Sequence, residues 1–261
     1  MMGAHHAITG AAAWIAITAT APYLTTGLYP VSSVGVFTGA VVCAGAALLP
    51  DADHPNATIA HSVPVVGQAI TGAIGKMAGG HRQGLHSVIA TVGVLVLSIL
   101  LGFIHVQTTW AGNLPIGAAI ATVALVAFAA KALKLTRGGW ILPWILGVFV
   151  AAGIVFLAPK EIAWLPIAIT VGFVVHLVGD SLTIGGVPWL WPLKPIPPLW
   201  WQQLPIVKWV WQKNGYFALP ILGKTGSTRE WILCGVVTLY VICTLVYEAL
   251  WAFGINLLTV M

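Results

Sequence analysis

Charged side chains are scarce in this sequence, and acidic ones are the scarcest. Asp, Glu, Lys and Arg together make up 7% of the 261 residues, and only 6 residues are acidic. This scarcity, with 59% hydrophobic residues and a mean hydropathy of +0.97, excludes an ordinary soluble globular domain. The composition is typical of a polytopic membrane protein, whose helices face hydrocarbon.

Cysteine is also rare, which argues against two further classes of protein. The 3 cysteines, Cys43, Cys234 and Cys243, lie in apolar runs without CxxC spacing. We therefore predict neither disulfides nor a thiolate metal site, and we interpret all three as small buried residues. The N-terminus has no Lys- or Arg-rich start, so the sequence predicts no cleavable signal peptide.

Apolar runs divide the chain into seven predicted helices. They are Ala7–Ala21, Val34–Leu49, Val88–Ile104, Leu114–Ala130, Trp140–Ala158, Ala163–Val178 and Trp231–Phe253. Several are shorter than the roughly 20 residues that cross a bilayer, so the first two are open to a re-entrant position or one sunk between neighbours. The pattern predicts an all-α fold, a polytopic integral membrane helical bundle that forms a single domain over residues 1–261.

The basic residues predict how this bundle is oriented. If all seven helices cross the membrane, 10 of the 11 Lys and Arg residues fall on the side of the N-terminus, and only Lys160 falls on the other. The positive-inside rule then places the N-terminus in the cytoplasm and the C-terminus outside an inner or plasma membrane. The formal net charge of +5 fits anionic lipid head groups in this setting, and we predict no nucleic-acid partner.

All three aspartates of the chain stand close to histidines in two segments, and a third segment, residues 81–86, carries two further histidines. Ionisable groups in apolar surroundings cost several kcal/mol each unless they pair or bind a metal. In the predicted topology these segments and the start of the first helix reach the same membrane face, so they can converge on one metal site. The candidate ligands are His6, Asp51, Asp53, His81, His86, His176 and Asp180.

The types and spacing of these residues predict the metal and its chemistry. His176 and Asp180 are four residues apart, which places them on one helix face. Imidazole and carboxylate ligands suit Zn, Mn or Fe, and we favour Zn. Seven candidates exceed the three or four protein ligands of one zinc ion. We therefore predict two divalent ions, which together activate water and neutralise a phosphoryl oxygen.

Two further residues are predicted to act beside the metal. Arg82 is placed to clamp a phosphate through its guanidinium, and an ion pair with one of the aspartates is an equally weighted alternative. His54, directly after the Asp51–Asp53 pair, is predicted to act as a base or to hold a ligand. The other three histidines, His5, His61 and His105, we interpret as packing or interfacial residues.

Other interpretations of the whole set remain open. The alternative to an enzyme is a non-catalytic metal or proton transporter, or a membrane scaffold stabilised by metal. Transporter sites usually lie near the bilayer midplane, whereas these acids gather at one end of the helices. A scaffold would hold its metal with closed coordination, without an exchangeable water.

A Trp- and Pro-rich segment occupies residues 185–226. Indole rings and lysines together belong at the level of the lipid head groups, and we favour an interfacial anchor. The less favoured interpretation is a lip that admits lipid to the metal site. Within this segment and just beyond it, residues 223–227 contain Gly-Lys-Thr-Gly-Ser, but they lack the spacing and the preceding strand of a phosphate-binding loop.

The motifs together resemble those of a known membrane family. Leu49–His54, His81-Arg82 followed by His86-Ser87, and His176-x-x-x-Asp180 are similar to the YdjM-like family of inner-membrane, metal-dependent hydrolases. The likeness runs from residue 6 to about residue 232, apart from the middle helices. One departure is Leu85, because the family has a Thr before the second histidine, and we assign this position no role.

The resemblance implies an activity as well as a location. It implies a membrane-bound metal-dependent hydrolase that acts on phospholipids, through a distant similarity to zinc-dependent phospholipase C. The expected substrate is therefore a membrane lipid, cut at a phosphoester or ester bond at the cytoplasmic face.

Overall fold

Helices dominate the computed structural model, which describes residues 1–19, 25–63, 65–205 and 207–255. The α-helices are α1 (Gly3–Thr18), α2 (Ser33–Ala46), α3 (Val66–Ala78), α4 (Val88–Gly102), α5 (Ile116–Ala132), α6 (Ile141–Leu157), α7 (Leu165–Ser181), α8 (Leu199–Gln203) and α9 (Thr228–Ala252). Short 3-10 segments span Pro50–Asp53, Thr58–His61, Gly84–His86, Pro159–Trp164 and Val207–Trp209. A small antiparallel hairpin joins α4 to α5, with strands β1 (Val106–Thr108) and β2 (Gly112–Leu114).

Each of the seven predicted apolar stretches overlaps one α-helix, so the all-α membrane fold is confirmed. The predicted end of the first stretch, Ala21, lies outside the described residues. Two helices, α3 and α8, were not predicted. Helix α3 is interrupted by glycines and polar residues, and it packs against the Pro50–Asp53 and Thr58–His61 segments. Such an amphipathic helix does not stand out as a continuous apolar run.

One local prediction was wrong, and one local element follows from a proline. Between α2 and α3, Pro50–Asp53 forms a 3-10 turn. Pro50 stands at its first position, where the missing N–H costs nothing. Of the cysteines, Cys43 and Cys234 are buried as predicted, whereas Cys243 is exposed on α9. An exposed small residue is compatible with a helix face that meets lipid.

Within the described residues, three helical segments are long and apolar enough to cross a membrane. They are Ser33–Asp53, Pro159–Ser181 and Thr228–Ala252, while α4, α5 and α6 are shorter apolar helices. The first of these joins α2 to its 3-10 extension and buries much of its surface inside the protein. A central, buried position of α2 agrees with the prediction that an early helix is sunk between neighbours.

Glycines allow the helices around α2 to approach closely. A Cβ added at Gly172 of α7 would lie 2.4 Å from the Cys43 carbonyl oxygen of α2. A Cβ added at Gly45 would lie 2.0 Å from the Leu125 carbonyl oxygen of α5. Because helices in hydrocarbon associate mainly by close packing, such small residues determine which faces meet. These contacts fix α2 between α5 and α7.

The orientation of the bundle is a prediction that labelling can test. In a chain whose Cys43, Cys234 and Cys243 are replaced by Ser, single cysteines are introduced as Arg137→Cys or Lys160→Cys. With the predicted topology, a membrane-impermeant thiol reagent should label position 160 in intact cells and position 137 only after lysis. The reverse pattern, or labelling of both positions in intact cells, would contradict it.

Candidate metal centre

The C-terminal turn of α7 brings two ionisable side chains into the protein interior. His176 and Asp180 are four residues apart on one face of this helix, and both are buried. The C-terminal end of α2 meets them there, because the carbonyl oxygen of Ala47 accepts a hydrogen bond from His176 Nδ1 at 2.7 Å. The C-terminal ends of α2 and α7, and with them the negative ends of their dipoles, thus meet at this place.

Two imidazole nitrogens face each other beside that point. His86 Nε2, from the loop before α4, lies 3.2 Å from His176 Nε2. His176 carries its proton on Nδ1, because a carbonyl oxygen can only accept. His86 Nδ1 lies 3.4 Å from Asp53 Oδ2, which favours a proton on Nδ1 there as well. Neutral rings in these forms aim both Nε2 lone pairs at each other, an arrangement that a cation between them would satisfy.

Asp180 completes a triangle of donor atoms. Its Oδ2 lies 3.6 Å from His86 Nε2 and 3.8 Å from His176 Nε2. In a tetrahedral zinc site with bonds of about 2.0–2.1 Å, neighbouring ligand atoms are about 3.3 Å apart. The three donors therefore stand near the spacing that one zinc-sized ion requires. His86, His176 and Asp180 form one of two groups of potential ligands whose atoms lie within 4.8 Å of one another.

The second group consists of His6, Asp51 and His176. His6 stacks on the His176 ring, with centroids 3.6 Å apart, and neither of its buried nitrogens has a hydrogen-bond partner among the described residues. Asp51 Oδ1 lies 3.6 Å from His176 Nε2. Both groups use His176, and one imidazole nitrogen can bind only one ion. The five residues therefore surround one central position, and a second ion remains a prediction.

Asp53 holds two histidines in place. Its Oδ1 accepts a hydrogen bond from His81 Nδ1 at 2.8 Å, and its Oδ2 accepts one from the Arg82 backbone N–H at 3.1 Å. Oδ2 also faces His86 Nδ1. Carboxylates that bond the outer nitrogen of a metal-binding histidine fix the ring and its tautomer. This arrangement favours a positioning role for Asp53, rather than the ligand role that the sequence predicted.

His81 lies at the edge of the cluster. It belongs to neither group of close donor atoms, and 38% of its side chain is exposed. Burial lowers its pKa, but the hydrogen bond to Asp53 and the nearby carboxylates outweigh burial and raise the pKa above its ordinary value. Binding of a metal to the other nitrogen would release that proton. Its role as a ligand stays a prediction.

Arg82 forms the ion pair that was one of its two predicted roles. Its Nη2 lies 2.9 Å from Asp180 Oδ1, and Nη1 lies 3.4 Å from the Thr183 hydroxyl. Asp180 Oδ1 also contacts His6 Nε2 at 3.2 Å and the Met1 ammonium, so Oδ2 is the oxygen left for the two facing imidazoles. The Arg82 side chain is 18% exposed and borders an open cleft. Its predicted role in binding a phosphate therefore stays a prediction.

The cleft leads from the surface to the cluster. It has a volume of about 580 Å³, and it is bordered by Asp51, His54, His81 and Arg82. Lys224 and Thr225 also line it, although their segment is no phosphate-binding loop. His54 accepts a hydrogen bond from the Asn56 backbone N–H through Nδ1, at 3.1 Å. The neutral ring therefore carries its proton on Nε2. In this form Nε2 is a hydrogen-bond donor, and it does not act as the base that the sequence predicted.

The remaining histidines lie outside the cluster, as predicted. His5 Nδ1 contacts Glu230 Oε1 at 2.5 Å, and this buried pair joins α1 to the start of α9. His61 and His105 are exposed. The chain thus separates neighbouring histidines by function, because His6 turns toward Asp180 and His5 turns toward Glu230. Nothing in the sequence indicated that Glu230 is the partner of His5.

The Trp- and Pro-rich segment braces the loop that carries His81 to His86. The Tyr216 hydroxyl donates to the Arg82 carbonyl oxygen at 2.9 Å and accepts from Gln83 Nε2 at 2.7 Å. Burial raises the pKa of Tyr216, which keeps this donor protonated. Arg82 has a φ of 54°, which is unfavourable for a residue with a side chain. Hydrogen bonds to the N–H and the carbonyl oxygen of Arg82 hold this conformation. No motif in the sequence predicted these hydrogen bonds.

The apolar bundle with a buried His/Asp cluster at the ends of its helices defines a membrane protein equipped to hold a metal ion. Comparison with protein families then gives its relationship. The family described as YdjM inner membrane protein matches residues 1–252, so the chain belongs to that family, as its motifs had indicated. No curated protein and no solved structure matches the chain.

The positioning role of Asp53 leads to a measurable expectation. Asp53→Asn keeps the size of the side chain but removes the charge that orients His81 and His86. We expect zinc affinity, measured by competition with a chromophoric chelator, to fall about 10–100-fold while the protein stays folded. Glu161→Gln, which neutralises a carboxylate in the Pro159–Trp164 segment away from the cluster, is the control. Unchanged affinity in Asp53→Asn would contradict this role.

Proposed function

We propose that this protein is a membrane-embedded, metal-dependent hydrolase that cleaves a phosphoester or ester bond of a lipid at the cytoplasmic membrane face. The observation that carries the proposal is the pair of imidazole nitrogens, His86 Nε2 and His176 Nε2, which face each other at 3.2 Å behind an open cleft. A purely structural metal site needs no such opening, whereas an enzyme needs room for substrate and water.

The proposed ligands are the five residues whose donor atoms surround one position. Bound there, a divalent metal supplies Lewis acidity and lowers the pKa of water. The residues are His6, Asp51, His86, His176 and Asp180.

The charges around the cluster support a cation at its centre. Asp51, Asp53 and Asp180 bring three carboxylates together, and the cations that contact them are Arg82 and the Met1 ammonium. Buried carboxylates that are not neutralised are costly in low dielectric. A divalent ion would offset the remaining negative charge and would satisfy one nitrogen of the buried His6 ring.

Arg82 and His54 are the proposed groups that act on the substrate from the cleft. Arg82 is fixed by Asp180 and Thr183, and from there it would hold a phosphate oxygen and stabilise negative charge that develops on it. His54, with its proton on Nε2, would donate a hydrogen bond to the leaving oxygen and stabilise the negative charge that develops on it. Lys224 adds a second cation to the cleft wall for an anionic head group.

Metal content is the first test of the proposal. Elemental analysis of the detergent-purified protein should find one equivalent of a transition metal at the position that the five residues surround, and a second equivalent if the two-ion prediction holds. His176→Ala removes the nitrogen common to both ligand groups and should abolish binding, and Asp51→Ala should lower it. His105→Ala, at the far end of α4, should bind as wild type. A wild-type protein that holds no metal after incubation with zinc or manganese would sink the proposal.

The role of Arg82 can be tested without replacing it. A Cβ added at Gly185 would lie 2.1 Å from Arg82 Nη1, so Gly185→Ala should push this flexible side chain away from the cleft. We expect metal content to stay normal and kcat toward phospholipid to fall about 100-fold. Gly153→Ala is the matched control, since an added Cβ there meets nothing within 4 Å. Equal activity of the two variants would exclude Arg82 from the reaction.

A further inference from the structure

A second cavity adjoins the metal cleft. It has a volume of about 480 Å³ and lies in the Trp- and Pro-rich segment, and Ile184 borders both spaces. Its walls combine two ammonium groups, two indoles and polar amides. The residues that matter are Lys208, Trp209, Trp211, Gln212, Lys213 and Asn214. We call this space the Lys–Trp cavity.

The two lysines of the Lys–Trp cavity have no carboxylate partner in the described part of the chain. The protein has only 6 acidic residues, and the structure places each of them elsewhere. Three aspartates belong to the metal cluster, and Glu230 pairs with His5. Glu161 accepts from the Trp164 indole, and Glu248 accepts from Ser33. The positive charge of the cavity must therefore be balanced from outside the protein.

The uncharged groups of the cavity fit a ligand that is anionic and lies at the membrane surface. Trp209 is 52% exposed and stands beside Lys208, whose ammonium lies 5.8 Å from the indole centroid. Indoles prefer the head-group region, and lysines there attract anionic lipids. The side-chain Oδ1 of Asn214 accepts a hydrogen bond from the Tyr216 backbone N–H at 3.1 Å. The side-chain N–H groups of Asn214 therefore remain to donate to a phosphate oxygen.

We infer that the Lys–Trp cavity binds the phosphate of an anionic phospholipid and holds the lipid beside the metal cleft. A zwitterionic head group carries its own ammonium, which the two lysines would repel, so the cavity selects for net negative lipids. The inference rests on the proposed function of the neighbouring cleft, and it adds the class of substrate.

The cavity is tied to the centre that it would serve. Gln212 Nε2 donates to the Ile184 carbonyl oxygen at 2.8 Å, on the wall shared by the two spaces. The same segment bonds Arg82 through Tyr216. A lipid seated against Gln212 and Lys213 therefore lies next to the loop that carries Arg82.

Lipid binding by the intact protein tests the inference without any turnover. Native mass spectrometry counts lipids retained by the full chain as purified, with dioleoyl phosphatidylglycerol or dioleoyl phosphatidylcholine added in equal amounts. Wild type should prefer phosphatidylglycerol by about 10-fold, and the Lys208→Gln/Lys213→Gln variant should lose that preference. The Lys134→Gln/Arg137→Gln variant is the control, because it removes two charges from the exposed α5–α6 loop.

Each other outcome overturns the inference. Equal retention of the two lipids by wild type would show that the cavity does not select anionic lipid. An equal loss in the control variant would show that general surface charge is responsible. Competition by millimolar inorganic phosphate as strong as that by lipid would show a site for small anions. Because cleaved and intact lipid differ in mass, failure of binding is distinguishable from failure of hydrolysis.

Discussion

The facing nitrogens of His86 and His176 determine how this end of the protein has to be built. Each ring is fixed from behind, His176 by the Ala47 carbonyl oxygen and His86 by the carboxylate of Asp53. With the outer nitrogens engaged, the inner ones present lone pairs to a space where three carboxylates also gather. Such a cluster is costly in a chain of mean hydropathy +0.97 unless a cation shares it. The proposed metal gives it a physical reason to exist.

The bundle supplies the ends of helices that this cluster needs. Close approach at Gly172 brings α7 against α2, so His176 reaches the last carbonyl groups of α2. The opposite side of the cluster comes from the His81–His86 loop, which Tyr216 braces from the Trp- and Pro-rich segment. Helix α7 thus holds His176 and Asp180, and a loop under backbone strain holds His86. Packing in hydrocarbon and polar bonding at the membrane surface contribute to one site.

Sequence reasoning identified the helices and the polar cluster because both signals are strong here. Long apolar runs stand out, and an aspartate such as Asp180 beside His176 is conspicuous where acids are rare. The distinction between ligand and positioning residue was out of reach, since Asp53 and Asp51 differ only in the direction of their side chains within a 3-10 turn. Helix α3 was missed because its apolar face is discontinuous. Tyr216, which bonds the Arg82 carbonyl oxygen, is 134 residues away from Arg82 and follows no motif.

The Ala47 carbonyl is both the end of α2 and the group that orients His176. Successive residues of a helix are rotated by about 100°, so one residue inserted within α2 would swing that carbonyl away from the imidazole. We therefore expect insertions and deletions between Ser33 and Ala47 to disrupt the site, although the buried residues of this helix are all apolar or glycine. Adaptation to thicker or thinner bilayers has to occur at other helices, such as α9, whose far end carries no part of the cluster.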